Sequence, residues 1–186
     1  MIYFSEGIMY EDELPELTDK ECDEWYRKSG IDGGVRVGPI VTKIWEPTNI
    51  YGKPIFGKNC SVGAFADIGS PVVGEGVKIG SFCFLPSKVQ IKDLSWLGPR
   101  VSFTHTFPPA KYEDWEETVI EERVFIGADV TILCGKHINQ CATIGAGSVV
   151  THDIPPFEVW VGSPARKLRD MTAWEIEARK KYEVKL

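Results

Sequence analysis

Few side chains in this sequence are able to move a proton, ligate a metal or attack a carbonyl. Three histidines are present, His105, His137 and His152, with five cysteines, Cys22, Cys60, Cys83, Cys134 and Cys141. The cysteines form no CxxC pair and their number is odd, which predicts reduced thiols rather than a disulfide framework or a zinc ribbon. His105 stands apart by its setting. It lies in FTHTFPP, between Thr104 and Thr106 and just ahead of the polar stretch PPAKYEDWEETV at 108–119. A histidine titrates at about 6.5, so it accepts a proton near neutral pH. As a general base toward an amine or hydroxyl it is worth roughly 10² to 10⁴ in rate where the proton transfer matters. Two further groups stand out by residue type: the small pairs Gly127–Ala128 and Gly145–Ala146, 18 residues apart, which leave the backbone approachable, and the basic pair Arg166–Lys167 in VGSPARKL.

What positions these groups is a repeat of six. From Ile120 an apolar residue recurs at Ile126, Ile132, Ile138, Ile144 and Val150. An earlier run reads Val73, Ile79, Leu85, Ile91, Leu97 and Phe103, and Ile44, Ile50, Phe56, Val62 and Ile68 keep the same step before one five-residue unit. Four positions after each, the residue is mostly small or β-branched, as at Cys60, Ala66, Val72, Val77, Cys83, Val89, Ser95, Val101, Val124, Val130, Ala142 and Ser148, while Pro54, Phe107 and Lys136 break the pattern. A period of six fits neither the 3.6 of a helix nor the 2 of a strand, so each unit is a short strand plus a corner. Three units close a triangular coil, and stacked coils pair their backbones at roughly 4.8 Å. The expected fold class is all-β, a left-handed parallel β-helix of five to six coils.

The aperiodic stretch 108–119 is then a loop thrown from one corner, and loops on rigid scaffolds often carry function. If it leaves the register intact, Val62-Gly63, Ile79-Gly80, Leu97-Gly98, Ile126-Gly127 and Ile144-Gly145 stack on one face. His105, two positions after inward-facing Phe103, then points outward, and His137 is read as a corner residue. Thr18–Glu21 and Thr172–Glu175 read as capping boxes, the first opening a helix closed by Gly30, the second a C-terminal helix to about Tyr182. The chain divides into an N-terminal acidic extension with a short helix at 1–43, the β-helix at 44–167, and a C-terminal helix at 168–186.

Composition narrows the function. Residues 1–29 carry a net charge of −6 and account for the whole chain's −6, leaving a neutral body. Without a basic stripe there is no footprint for nucleic acid. No apolar run approaches the roughly 18 residues of a membrane span, and the acidic N-terminus does not read as a signal peptide. A cytoplasmic location is expected.

LGPRVSFTHTFPP, the loop, IGADVTI, IGAGSVV and VGSPARKL together resemble the hexapeptide-repeat acyltransferases, and within them the nucleotide-sugar N-acetyltransferases. The resemblance covers about 44–167. It implies an acetyl-CoA-dependent transferase, a homotrimer with sites between subunits, and a nucleotide-linked amino sugar as acceptor. It places His105 at the sugar end as base or positioning group, with Arg100, Thr104 and Thr106 as acceptor-binding candidates. Gly127, Ala128, Gly145 and Ala146 would lie along the pantetheine arm, and Arg166 and Lys167 at the CoA phosphates. The loop offers Lys111 among Glu113, Asp114, Glu116 and Glu117, which fits a neutral deoxyamino sugar better than a uronate.

Three alternatives stand beside this reading. His105 as an indispensable base would make the enzyme a sugar O-acetyltransferase, and a non-catalytic trimeric assembly module would need no such site. γ-Class carbonic anhydrases share the fold and bind zinc, and His105, Cys134 and His152 fall in one slot of three successive coils. Coils are roughly 5 Å apart, so the outer two would stand too far apart for one zinc bound at about 2.0 to 2.3 Å; no metal is expected.

Overall fold

The structure is a computed structural model that describes residues 2–4, 7–9, 36–37, 43–45, 47–105 and 115–181. Short parallel strands stack into three sheets, the faces of a triangular prism. Face I holds Arg36–Val37, Ile55–Phe56, Val72–Val73, Val89–Ile91, Thr118–Ile120 and His137–Ile138. Face II holds Lys43–Ile44, Ser61–Val62, Lys78–Ile79, Trp96–Leu97, Phe125–Ile126 and Thr143–Ile144, and face III holds Asn49–Ile50, Asp67–Ile68, Phe84–Leu85, Ser102–Phe103, Thr131–Ile132 and Val149–Val150. The chain visits I, II and III in turn, so each strand pairs with the one a full coil away. This is the left-handed parallel β-helix of sextets that the sequence predicts, with about six turns.

The register carries through the loop. Ile91 pairs with Ile120, 29 residues on, where Ile79 pairs with Leu97, 18 residues on. Val62, Ile79, Leu97, Ile126 and Ile144 are one stacked column. Their side chains fill the axis, fully or almost fully buried with the other sextet residues from Phe56 onward, while Ile44 and Ile50 at the first coil are partly buried. Each buried one contributes on the order of 1.5–3 kcal/mol. Cys60, Ala66, Val77, Cys83, Ser95, Val101, Val124, Val130, Ala142 and Ser148 line the same interior, because residues two apart in a strand share a side. Burial pushes the Cys83 thiol up to about 11, and it donates to the Gly98 carbonyl at 3.3 Å.

Val72 departs from this pattern. It is 47% exposed, whereas Pro71 beside it is buried. The unit from Ile68 to Val73 has five residues, so the fourth position directly precedes an inward residue and alternation turns it outward.

At the corners between faces I and II, Asn59, Gly76, Leu94, Arg123, Cys141 and Phe157 take positive φ; between II and III, Phe65, Phe82, Arg100, Asp129 and Gly147 do. That conformation costs a non-glycine residue about 1–2 kcal/mol. It turns the corner N–H onto the corner carbonyl of the preceding coil: Leu94 to Glu75, Arg123 to Asp93, Arg100 to Ser81, Asp129 to Pro99, all at 2.8–2.9 Å. Close stacking also dictates the glycine column. A Cβ on Gly98 would lie 2.6 Å from the Ala128 nitrogen, and one on Gly127 2.5 Å from that of Ala146.

Beyond the last coil, Glu158–Val161 joins face II against Thr143–Ile144 and pairs antiparallel with Arg166–Asp170. Helix α1 follows at Ala173–Lys180, capped by the reciprocal box of Thr172 and Glu175. Residues 168–170 are therefore strand rather than helix. Cys141, Val159, Met171, Phe157 and Ile176 form a small second core beneath α1, and Arg179 lies over the Phe125 ring and donates to Thr143 Oγ1 at 3.0 Å. At the other end, Arg36–Val37 already pairs with Ile55–Phe56, and Ile2–Phe4 pairs antiparallel with Gly7–Met9. The predicted helix at 18–30 lies outside the described residues.

Gly127→Ala is expected to destabilise the protein by roughly 1–3 kcal/mol through forced displacement of the next corner, read by urea unfolding. A second expectation concerns Glu175, whose carboxyl is lowered to about 2 by Arg169 and by the hydrogen bonds that the Thr172 N–H and hydroxyl donate to it. A depressed carboxylate stabilises the fold above its ordinary 4.5 and loses that contribution as pH falls toward 2. Amide protection factors across residues 173–180, taken relative to the intrinsic exchange rate at each pH, should fall over that window in the wild type, and Glu175→Gln should already show low protection at pH 5.

Candidate functional site

The edge between faces III and I is where the loop leaves and returns. On the departing side, Thr104 Oγ1 accepts the Cys134 N–H of the next coil at 3.1 Å. This fixes the backbone just before His105, whose imidazole is exposed. Two aromatic rings frame it. Phe84, the outward residue of face III one coil earlier, meets it edge-on with centroids 5.5 Å apart, and Trp115 lies 4.3 Å away, tilted by 52°.

The returning side is held from below and above. Lys88, at positive φ in the preceding coil, donates its ammonium to the Trp115 carbonyl at 3.1 Å, and its carbonyl accepts the Thr118 N–H at 3.0 Å. From the coil above, the Gly135 N–H donates to Thr118 Oγ1 at 3.1 Å. Gly135 has φ +70, and a Cβ there would collide with the Glu116 carboxylate. Glycine thus lets the returning limb pack against the corner. Thr106 and the loop residues Lys111, Glu113 and Asp114 lie outside the described residues.

Arg100 and Thr104, also expected at the acceptor end, are not brought to one point with His105. Arg100 sits at the opposite end of face III, at the II–III corner, bound through Nε and Nη2 to the two carboxylate oxygens of Asp129 of the next coil. That pairing holds the Asp129 carboxyl below its ordinary range. His137 is not a corner residue: it is the outward member of His137–Ile138 on face I. Its Nε2 meets Glu121 Oε1 at 2.9 Å, on the same oxygen that Lys92 reaches at 2.8 Å. The six-residue step from Ile132 to Ile138 explains the difference, since the residue before each axial position always lies on a face. His105, Cys134 and His152 do share one slot, two positions past the paired column Phe103, Ile132 and Val150. Among the described residues no group of three or more His, Cys, Asp and Glu is placed to hold a metal ion.

The cofactor candidates lie along the II–III edge. Gly127 and Gly145 are explained by packing: Gly127 under Ala146, and Gly145 under the Val161 side chain. Ala146 is exposed and Ala128 partly so, leaving a strip of methyl groups along the edge. At its end, Lys167 is bound to Glu158 at 2.7 Å and Asp170 at 2.6 Å. Arg166 is exposed and donates to the Ala165 carbonyl, with no carboxylate partner among the described residues.

Phe84, Lys88 and Trp115 were not singled out by the sequence reading. The sextet numbering places Phe84 on the same face one coil before His105, a usable signal. Trp115 carried none, because the aperiodic segment assigns its members no direction.

A stack of sextet coils with a loop ejected at one edge defines a hexapeptide-repeat β-helix protein, and the resemblance to the hexapeptide-repeat acyltransferases holds in the comparisons. No family model matches the chain. It is 27% identical over 166 residues to the bifunctional protein GlmU of Thermotoga petrophila, across 88% of this chain and 33% of that protein. It is 43% identical over 54 residues, 29% of the chain, to 28% of the dTDP-3-amino-3,6-dideoxy-alpha-D-galactopyranose 3-N-acetyltransferase of Aneurinibacillus thermoaerophilus. A galactoside O-acetyltransferase of Lactococcus lactis matches at 40% over 85 residues, 39% of the chain and 40% of that protein. The chain spans a third or less of the length of the first curated relatives it matches. Among solved structures, a point mutant of AntD, an N-acyltransferase from Bacillus cereus in complex with dTDP and coenzyme A, shares the fold. Its TM-score is 0.61 at 18% identity, covering 86% of this chain and 94% of that one. No described helix is long and apolar enough to cross a membrane.

The packing at Gly135 predicts a coupled pair. Gly135→Ala is expected to cost roughly 1–3 kcal/mol in urea unfolding. In a Glu116→Gly background, which also removes the Glu116 Cβ at 2.9 Å, the cost should fall toward the positive-φ strain of about 1–2 kcal/mol, the difference being the coupling.

Proposed function

We propose that this chain is an acyl-CoA-dependent N-acetyltransferase that acts on the amino group of a nucleotide-linked amino sugar, with His105 at the acceptor end. The observation that carries the reading is the exposed imidazole of His105, framed by Phe84 and Trp115 at the root of the loop. The names of the relatives support it, two of them sugar acetyltransferases, as does the presence of a nucleotide and coenzyme A in the AntD complex.

The chemistry asked of the site is modest, since a thioester is already activated and a neutral amine is a good nucleophile; positioning supplies most of the rate. The amine nitrogen attacks the thioester carbonyl, a C–N bond forms, and the tetrahedral intermediate collapses with loss of the C–S bond. His105 accepts the proton released by the amine, and the CoA thiolate takes up a proton on leaving. The methyl strip of Ala128 and Ala146, with Gly127 and Gly145 beneath, gives the pantetheine arm a surface without bulky side chains. Arg166 suits the CoA phosphates by charge-assisted hydrogen bonding; Lys167, engaged by two carboxylates, contributes charge at longer range. Thr104 orders the backbone beside His105 and Thr106 remains an acceptor-binding candidate, whereas Arg100, paired with Asp129 at the II–III corner, takes no part at the acceptor end. His105 stands on the III–I edge and the methyl strip on the II–III edge of one prism, so bringing them together calls for the strip of a neighbouring subunit beside His105, an arrangement that a homotrimer supplies.

Sugar O-acetylation is the second reading, favoured by the presence of an imidazole at this position and by the galactoside O-acetyltransferase match. A hydroxyl needs a base more than an amine does. Thiol release from acetyl-CoA, followed with nucleotide-linked amino sugars and their hydroxy analogues, separates the two. Turnover with amines is expected, with His105→Ala reduced by roughly 10² to 10⁴ and His105→Asn reduced less. Turnover with hydroxyls alone, abolished in both variants, would establish O-acetylation. No thiol release with any acceptor would leave the trimeric assembly module.

A further inference from the structure

The ring of His105 lies between two aromatic side chains, and we infer that Trp115 is the residue that positions it. Three observations converge. Trp115 lies 4.3 Å from the imidazole, ring centroid to centroid, at 52°, and Phe84 meets the same ring edge-on at 5.5 Å. Trp115 is anchored by its backbone, through the Lys88 ammonium on its carbonyl at 3.1 Å, to a corner of the preceding coil. His105 is anchored independently, through Thr104 and Cys134, to the following coil. The two limbs of the loop are thus each fixed to the prism, and the His105–Trp115 contact joins them across the loop's base.

The physical consequence is selection of one imidazole orientation. An exposed histidine samples its rotamers freely, and an indole face together with an aromatic edge leaves few of them. The electron-rich face of the indole also favours the imidazolium that forms when the proton is accepted. Trp115 touches no reacting atom in this scheme; it acts through His105. The inference rests on the reading of His105 as the group at the acceptor end.

Two measurements test it, using the full chain. In the first, the ring protons of His105, assigned by their disappearance in His105→Asn, are followed by NMR in wild type, Trp115→Phe and Trp115→Leu. An indole at this distance shifts them upfield; the shift is expected to persist partly with Phe and to vanish with Leu. Ring protons at their ordinary positions in the wild type would overturn the inference whatever the activity. In the second, kcat and KM for acetyl-CoA are compared across the same variants. Trp115→Leu is expected to lower kcat by roughly 10- to 100-fold, the scale of a misplaced catalytic group, with KM nearly unchanged and Trp115→Phe restoring most of the rate. Full kcat in Trp115→Leu beside an impaired His105→Ala would refute the positioning role while leaving the reading of His105 intact. Full activity in His105→Ala would remove that reading, and the catalytic meaning of the contact with it.

Discussion

Every coil of this protein hangs on the hydrogen bonds it makes to the coil beneath. The two-residue strands are far too short to hold a sheet by themselves, and they persist because each face stacks six strands or more. At the corners, where a parallel stack would otherwise bury unpaired N–H groups, a residue at positive φ redirects its N–H onto the preceding coil. The conformational cost of about 1–2 kcal/mol per corner is offset by the hydrogen bond, net about 0.5–1.5 kcal/mol, and by the axial burial that the spacing permits. Phe65 and Phe82 illustrate the compromise: both hold positive φ, and their rings stack at 4.8 Å on the outside of the edge.

A scaffold of that kind tolerates an insertion at a corner without losing register. The pairing of Ile91 with Ile120 spans the loop, yet the strands above and below continue as if it were absent. Loop closure grows only slowly with length, by about 0.6 kcal/mol per doubling, so extra residues at one edge cost little. What they add is chemistry that a smooth prism lacks. The repeat presents mainly backbone corners and short side chains, whereas the loop's two roots bring Thr104, His105, Trp115, Glu116 and Thr118 to one edge, between Lys88 below and Gly135 above.

The two candidate regions differ in how they are built. On the II–III edge the glycines are demanded by coil contact, so their presence follows from the fold, and the surface they leave is a by-product of stacking. On the III–I edge the side chains are not demanded by the repeat: a prism stacks equally well with any polar residue at the position of His105. That contrast is why the proposed function rests on His105 and not on the glycine column.

The sextet spacing determined the coil and the inward column, because a period of six admits one arrangement of strand and corner. A residue two places before an axial position inherits its side, whereas the position two places after it, where His105 stands, falls at the corner and faces outward. The recurring glycine slot carried the register across the loop. The Thr172–Glu175 box was equally legible, being a local pattern. Tertiary structure decided what periodicity cannot encode. Val72 turned outward because a five-residue unit shifts alternation, His137 joined Glu121 and Lys92 because neighbours across coils are set by stacking, and Arg100 was bound to Asp129 29 residues on. The return of Trp115 onto His105 belongs to the same class, since an aperiodic segment assigns no direction to its side chains until the coils on either side hold its ends.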